Sequence, residues 1–259
     1  MADLRNYQAR SALTGTQAGA AIDEGLRSHM LYVYNLMSLG LAITGFAALG
    51  TVMLAVTNDP ASAVATLANG KMLTGLGVAL YASPLKWVVM LAPLALVFFM
   101  SFRIHKLSTG AAQTTFWIYA ALMGVSLSSI FLVFTGQSIT QTFFITAAAF
   151  GALSLFGYTT KRDLSGMGSF LIMGVFGLLI AMVVNIFLQS SALEFAISGI
   201  GVLVFAGLTA YDTQQIKEMY YEGDADDVAS RKAIMGALRL YLDFINLFLF
   251  MLQFMGNRE

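Results

Sequence analysis

The stretch GALRLYLDFINLFLFMLQFMG, residues 236–256, has the length and apolar content of a membrane-spanning helix, yet it carries four strongly polar side chains. About 20 mostly apolar residues are enough to cross the hydrocarbon core of a bilayer. The polar side chains belong to Arg239, Asp243, Asn246 and Gln253. Because polar groups in hydrocarbon need partners, such a helix is unsuited to face lipid on all sides. We therefore expect it to lie at the centre of a helical bundle, wrapped by the other helices.

Six further apolar segments precede this one along the chain. They cover residues 31–56, 87–104, 113–135, 139–158, 167–189 and 194–213. The chain is 58% hydrophobic and only 11% charged, whereas soluble domains carry about 25% charged residues. These features predict an all-α membrane protein, in which residues 31–259 form a bundle of seven transmembrane helices with the C-terminal helix central. The polar residues 1–30 are expected to form a cytoplasmic N-terminal tail.

Lysine and arginine are concentrated on one side of the predicted membrane domain. If the N-terminus is inside, only Lys71, Lys86 and Arg258 of the 14 basic residues fall on the outer side. Cytoplasmic loops of membrane proteins are enriched in Lys and Arg, so the N-terminus is expected to be cytoplasmic and the C-terminus external. The outer connection, residues 57–86, contains an apolar piece at 72–82 that is too short to span. We expect this piece to lie at the outer interface or to re-enter the membrane.

The sequence gives no support to several functional classes. It has no cysteine, which excludes disulfides and thiolate catalysis, and its net charge of zero without a basic patch argues against nucleic-acid binding. Motifs for ATP binding, serine hydrolysis and zinc proteolysis do not occur. We therefore expect neither an enzyme nor a bound cofactor, and the lipid bilayer is the partner that the composition requires.

Asp212 and Asp243 are the acidic residues that solubility and packing explain least. Asp212 follows the apolar run 195–211, and Asp243 lies about two turns into the next predicted helix. A charge at the bilayer centre costs about 3 kcal/mol. Because the two helices are consecutive and joined on the inner side, both carboxylates fall in the cytoplasmic half. If they touch, they would share one proton over a wide pH range and act as a proton sensor.

The same carboxylates are also suited to a hard cation. Ca²⁺ prefers oxygen ligands from Asp and Glu. Two such groups alone would bind it weakly and transiently, which is typical of a conduction path rather than a storage site. Asp212 and Asp243 are therefore candidate Ca²⁺ ligands as well as candidate proton carriers.

Other polar residues offer both support for this pair and structural alternatives. Arg239 stands four residues before Asp243 and is a counter-charge, which in a purely structural account simply neutralises the aspartate. Arg103, at the inner end of the second predicted helix, is another candidate counter-charge, with snorkelling to the headgroups as the alternative. Asn246 could add an amide oxygen on the face of Asp243. Asn185 is typical of an interhelical hydrogen-bonding residue.

Three stretches resemble the transmembrane Bax inhibitor motif family, and most closely its bacterial branch. They are KRDLS at 161–165, AYDTQQIK at 210–217 and LYLDFINLF at 240–248. The resemblance covers about residues 31–256. It implies a seven-helix bundle in the bacterial plasma (inner) membrane that acts as a pH-gated calcium leak channel, gated by a pair of aspartates matching Asp212 and Asp243. In bacterial relatives an arginine near the inner end of the second helix pairs with the first aspartate; here Ser101 stands at the expected position and Arg103 follows it.

Two alternatives to conduction stay open at this point. Some family members restrain a membrane AAA protease and others suppress cell death, so the resemblance also fits a membrane interaction protein that uses its N-terminal tail to regulate such a protease or a stress pathway. The paired aspartates also resemble those of intramembrane aspartyl proteases. The second motif of that class is Gly-x-Gly-Asp, whereas this chain has Leu240-Tyr241-Leu242-Asp243 and lacks the glycines that let a substrate strand approach.

Overall fold

The computed structural model describes residues 2–103 and 106–258, with side chains described from residue 24 onward. Helices dominate this part of the chain. They are α1 (Ala2–Ala55), α2 (Gly75–Gly77), a π-helical turn (Val78–Ala82), α3 (Leu85–Arg103), α4 (Thr109–Leu127), α5 (Ile130–Val133), α6 (Gly136–Thr159), α7 (Ser165–Leu188), α8 (Ser191–Glu218) and α9 (Asp226–Met255). Three two-residue strands lie between α1 and α2: β1 (Val56–Thr57), β2 (Ala65–Thr66) and β3 (Met72–Leu73).

The seven predicted spans are confirmed. Within the described residues, seven helices are long and apolar enough to cross a membrane: α1 from Glu24, α3, α4 together with α5, α6, α7, α8 and α9. The last two extend beyond the predicted segments, since α8 continues to Glu218 and α9 begins at Asp226. Their extra turns are polar, because a helix can continue into water where its apolar run ends. Asp226 and Asp227 in the first turn of α9 also interact favourably with the helix dipole.

The C-terminal helix α9 is the most deeply buried of these seven. In its most apolar window 67% of the residues are buried, against 11–39% in the other six. It packs on α8, α1, α6 and α4, while α3 packs on α4 and α7 packs on α8. Of its four polar residues, Asp243 is buried and Asn246 is half-buried, whereas Arg239 and Gln253 are exposed. Encirclement of α9 by all six other helices stays a prediction.

A hydroxyl cluster joins α1, α4 and α9 in the core. The Thr44 hydroxyl of α1 donates to the Ala120 carbonyl oxygen of α4 at 2.9 Å and lies 2.7 Å from the Tyr241 hydroxyl of α9. The Tyr241 ring meets Phe116 of α4 edge to face, with ring centroids 5.8 Å apart. Gly124 allows this close approach, because a Cβ there would lie 2.4 Å from the Thr44 carbonyl oxygen. Small residues at such crossings are typical of helix packing in membranes.

The connection between α1 and α3 is folded rather than a plain loop. Its strands form an antiparallel sheet in the order β1-β3-β2. The Lys71 ammonium donates to the Phe131 carbonyl oxygen at 2.6 Å, and the Asn69 amide donates to that of Leu132 at 2.8 Å. These bonds attach the connection between β2 and β3 to α5. The apolar piece at 72–82 forms β3, α2 and the π-helical turn, packed against the end of α1.

Candidate functional site

Asp212 of α8 and Asp243 of α9 meet inside the bundle. The two helices are antiparallel neighbours joined by residues 219–225, and their contact is extensive. Asp243 is only 4% exposed and Asp212 is half-buried. The two carboxyl groups are close enough to interact electrostatically with each other. The structure thus brings together the two residues that the sequence singles out.

This contact restricts the charge that the pair can carry. Two ionised carboxylates at such a distance repel strongly, and burial withdraws the water that would screen them. One proton between them removes the repulsion and supplies a donor for the contact. Asp243 Oδ2 is buried and has no hydrogen-bond partner among the described residues. Two carboxyl groups that interact in a buried position can hold one shared proton.

The two candidate arginines are placed differently. Arg239 lies one turn before Asp243 on α9 and attracts both carboxylates electrostatically, although its side chain is exposed and no ion pair within 4 Å joins it to either in the described structure. Arg103 is exposed at the end of α3. In the described part of the chain it forms no ion pair with Asp212 or Asp243, so its pairing with Asp212 stays a prediction.

A buried glutamine just beyond Asp212 links two of the family-like stretches. The Gln214 side-chain oxygen accepts a hydrogen bond from the Leu164 amide, and its nitrogen donates to the Arg162 carbonyl oxygen, both at 2.8 Å. Lys217, one turn further on, donates to the Tyr158 carbonyl oxygen at the end of α6, also at 2.8 Å. The turn between α6 and α7 is therefore bound to α8 directly after Asp212. The sequence analysis missed this role of Gln214.

Two glycines bring neighbouring helices unusually close to Asp212. A Cβ on Gly157 of α6 would lie 2.2 Å from the Ala210 carbonyl oxygen, and one on Gly168 of α7 would lie 2.4 Å from the Tyr211 ring. Both distances are far below van der Waals contact. The backbone segment that carries Asp212 is therefore held from α6 and from α7, and its position depends on the absence of side chains at 157 and 168.

The two candidate asparagines mainly satisfy local backbone groups. Asn246 donates to the Leu242 carbonyl oxygen at 2.8 Å on its own helix, and Asn185 accepts from the Ser190 amide at 3.0 Å where α7 ends. Asn246 also lines a cavity of about 430 Å³ together with Gln253 and Arg258. Arg239 precedes Asp243 along α9, whereas this cavity lies beside the residues that follow it. Polar side chains therefore continue along α9 beyond the aspartate pair.

The far end of that cavity carries an ion pair that the sequence analysis missed. The Arg258 guanidinium contacts the carboxylate of Glu194, which also accepts from the Gln253 amide at 3.0 Å. Arg258 also stacks over Phe134, 5.8 Å from the ring centroid. Glu194 and Arg258 are 64 residues apart and stand at segment ends, where charged residues usually face water. No signal in the sequence indicates that they meet.

The described residues contain no cluster of three or more His, Asp or Glu side chains suited to hold a metal ion. Two carboxylates with one further oxygen ligand fall short of the six to eight oxygens that Ca²⁺ takes in a stable site. Transient Ca²⁺ binding by Asp212 and Asp243 stays a prediction.

Comparison with known proteins gives matches along nearly the whole chain. A protein of Rickettsia prowazekii (strain Madrid E) is 49% identical over 249 residues, which are 95% of this chain and 97% of the relative. A protein of Caulobacter vibrioides is 46% identical over 261 residues, which cover 100% of both chains. Inner membrane protein YbhL of Escherichia coli (strain K12) is 46% identical over 237 residues, or 91% of this chain and 94% of the relative.

A family model gives the same result. The model described as "Inhibitor of apoptosis-promoting Bax1" matches residues 26–259, a range that includes both aspartates and all seven apolar helices. The family resemblance predicted from three short stretches is thus confirmed. The chain is a multi-pass membrane protein and belongs to the Bax inhibitor family.

Proposed function

We propose that this protein is a cation leak channel of the plasma (inner) membrane, with Ca²⁺ as its permeant ion and the Asp212–Asp243 pair as its pH-sensitive gate. The observation that carries the proposal is the interaction of two carboxyl groups on adjacent helices, with Asp243 only 4% exposed. Ionisable residues at such positions are expensive and usually serve transport or proton transfer. The N-terminus is proposed to be cytoplasmic, which places the pair in the cytoplasmic half of the bilayer.

The gate follows from the charge of the pair. With one shared proton the carboxyl groups attract each other and hold α8 against α9. Loss of that proton leaves two negative charges in contact, which repel each other and favour a separated packing of the helices. The same two charges attract a divalent cation. Flux is therefore expected to rise as the pH rises through the range in which the shared proton leaves.

A polar stripe on α9 supports a path past the pair. Arg239, Asp243, Asn246 and Gln253 follow one another at the three- and four-residue steps, or their multiples, that keep side chains on one helical face. The cavity of about 430 Å³ beside Asn246 extends from within one turn of Asp243 to Arg258 at the chain end. A cation entering from that side would come within about one turn of Asp243 through a partly polar space.

The proposal is tested by Ca²⁺ flux in proteoliposomes over about pH 5 to about pH 8, the physiological range of titration. Wild type is expected to conduct more at the alkaline end. Asp212→Asn and Asp243→Asn each remove the repulsion, so their flux is expected to be low and independent of pH. Asp226→Asn, which changes an exposed aspartate at the start of α9, is the matched control and should behave like wild type. A Ca²⁺ flux that changes neither with pH nor with either substitution would contradict the proposal.

A further inference from the structure

A continuous groove runs between α1 and α6, and α9 forms its floor in two of its three cavities. Three cavities of about 580, 500 and 240 Å³ form it. The first two share Met37 and Phe150, and the last two share Gly45 and Phe143 among others. Gly45 and Gly151 border open space, with no heavy atom within 4 Å of an added Cβ. The described neighbours therefore leave the groove open along its length.

The largest cavity of this groove is basic at one end only. Arg27 and Tyr158 line that end, Tyr34 and Ser154 lie about one turn before the other end, and Met37 and Phe150 close it. Arg27 and Met37 are ten residues apart on one helix, or about 15 Å. This is about half of the 30 Å hydrocarbon thickness of a bilayer. A cavity with a basic mouth, mostly apolar walls and a length of about one leaflet matches the shape of a single phospholipid.

The positive charge at the mouth of the cavity favours a lipid with an acidic headgroup. Arg27 is exposed there, and Lys217 lies 5.3 Å over the ring of Tyr158. The neighbouring His29 packs against Tyr220, which places the mouth at the end of the bundle that carries the α8–α9 connection. Arg27 lines the cavity and Lys217 lies beside its lining residue Tyr158, while no acidic side chain lines the cavity. The two positive charges complement a phosphate and a negatively charged lipid surface.

We propose that the groove between α1 and α6 binds one anionic phospholipid, with its headgroup at Arg27 and an acyl chain along Met37 and Phe150. A partner helix fits these features less well, because it would not complement a basic mouth confined to one leaflet. The wall of this site is also linked to α8. Ser154 lies 2.5 Å from the Tyr34 hydroxyl and 2.9 Å from that of Thr213, the residue after Asp212.

Native mass spectrometry of the full chain with equal amounts of phosphatidylglycerol and phosphatidylcholine tests the headgroup site. Wild type is expected to retain more phosphatidylglycerol, and Arg27→Gln is expected to lower that preference about fivefold, the effect of one basic residue at a membrane surface. Lys161→Gln, which removes an exposed charge from the turn between α6 and α7, is the matched control. Equal retention of the two lipids by wild type, or an equal loss in the control, would overturn the proposal.

A second pair of variants tests the acyl-chain part of the groove. Gly151→Leu adds a side chain to the groove at a position where a Cβ meets no heavy atom within 4 Å, and it is expected to reduce lipid retention. Gly177→Leu makes the same change on the exposed side of α7, where a Cβ also meets nothing, and should leave retention unchanged. If Gly151→Leu abolished self-association of the chain and left lipid retention intact, the groove would be an interface between copies. Because the readout is bound lipid rather than flux, failure here is distinguishable from failure of the proposed channel activity.

Discussion

At the scale of single residues, Gly157 shows how closely α6 and α8 approach beside Asp212. A methyl group there would lie 2.2 Å from the Ala210 carbonyl oxygen. This oxygen is a backbone atom, so it cannot move aside as the end of a flexible side chain could. Overpacking of this kind costs about 1 to 3 kcal/mol. Gly157→Ala is therefore expected to lower the midpoint of thermal unfolding in detergent, followed by circular dichroism.

Gly151 provides the control for that measurement. It stands six residues earlier on the same helix, and its added Cβ would meet nothing within 4 Å. Gly151→Ala is expected to be neutral or to stabilise by up to about 1 kcal/mol, because alanine has the higher helix propensity. Equal destabilisation by both substitutions would contradict the close packing of α6 on α8.

The aspartate pair was predictable from the sequence, whereas its surroundings were not. Asp212 and Asp243 stand out because a charge beside or within an apolar run has no inexpensive explanation. Gln214 gives no such signal, since a glutamine at the end of an apolar run usually faces water. Its bonds to Arg162 and Leu164 depend on how α6 and α7 turn, which only tertiary packing decides.

At the scale of elements, Gln214 fixes the α6–α7 turn to α8. Gln214→Ala would leave the buried Leu164 amide and the Arg162 carbonyl without their partner, and an unpaired buried donor costs about 1 to 3 kcal/mol. The Leu164 amide is expected to exchange its hydrogen faster in this variant, as measured by hydrogen–deuterium exchange. Gln215→Ala, which removes only an exposed bond to Glu218, is the control and should leave that exchange rate unchanged.

Apolar length alone was sufficient to predict the seven spanning helices. It was insufficient for the small sheet between α1 and α2, because two-residue strands are too short to show an alternating pattern. The order β1-β3-β2 arises from tertiary contacts, including the bond from Lys71 to the Phe131 carbonyl oxygen. Such contacts join residues that are far apart in sequence and leave no local signature.

At the scale of the whole molecule, the proposed orientation can be tested with single cysteines, because the chain has none of its own. Ala61→Cys lies in the exposed connection before β2, and Glu222→Cys lies in the exposed connection between α8 and α9. With the N-terminus inside, a membrane-impermeant thiol reagent should label position 61 in intact cells and position 222 only after permeabilisation. The opposite result would reverse the topology and place the aspartate pair in the outer half.

The central claim is that Asp212 and Asp243 share a proton whose loss opens the bundle. Infrared spectroscopy of the protein in lipid, recorded across the same pH range as the flux, observes that proton directly. We expect the absorption of one protonated carboxyl group, which disappears over the pH range in which Ca²⁺ flux rises and which Asp243→Asn removes. A carboxyl band that is unaffected by Asp243→Asn, or two carboxylates that are ionised throughout, would contradict the account.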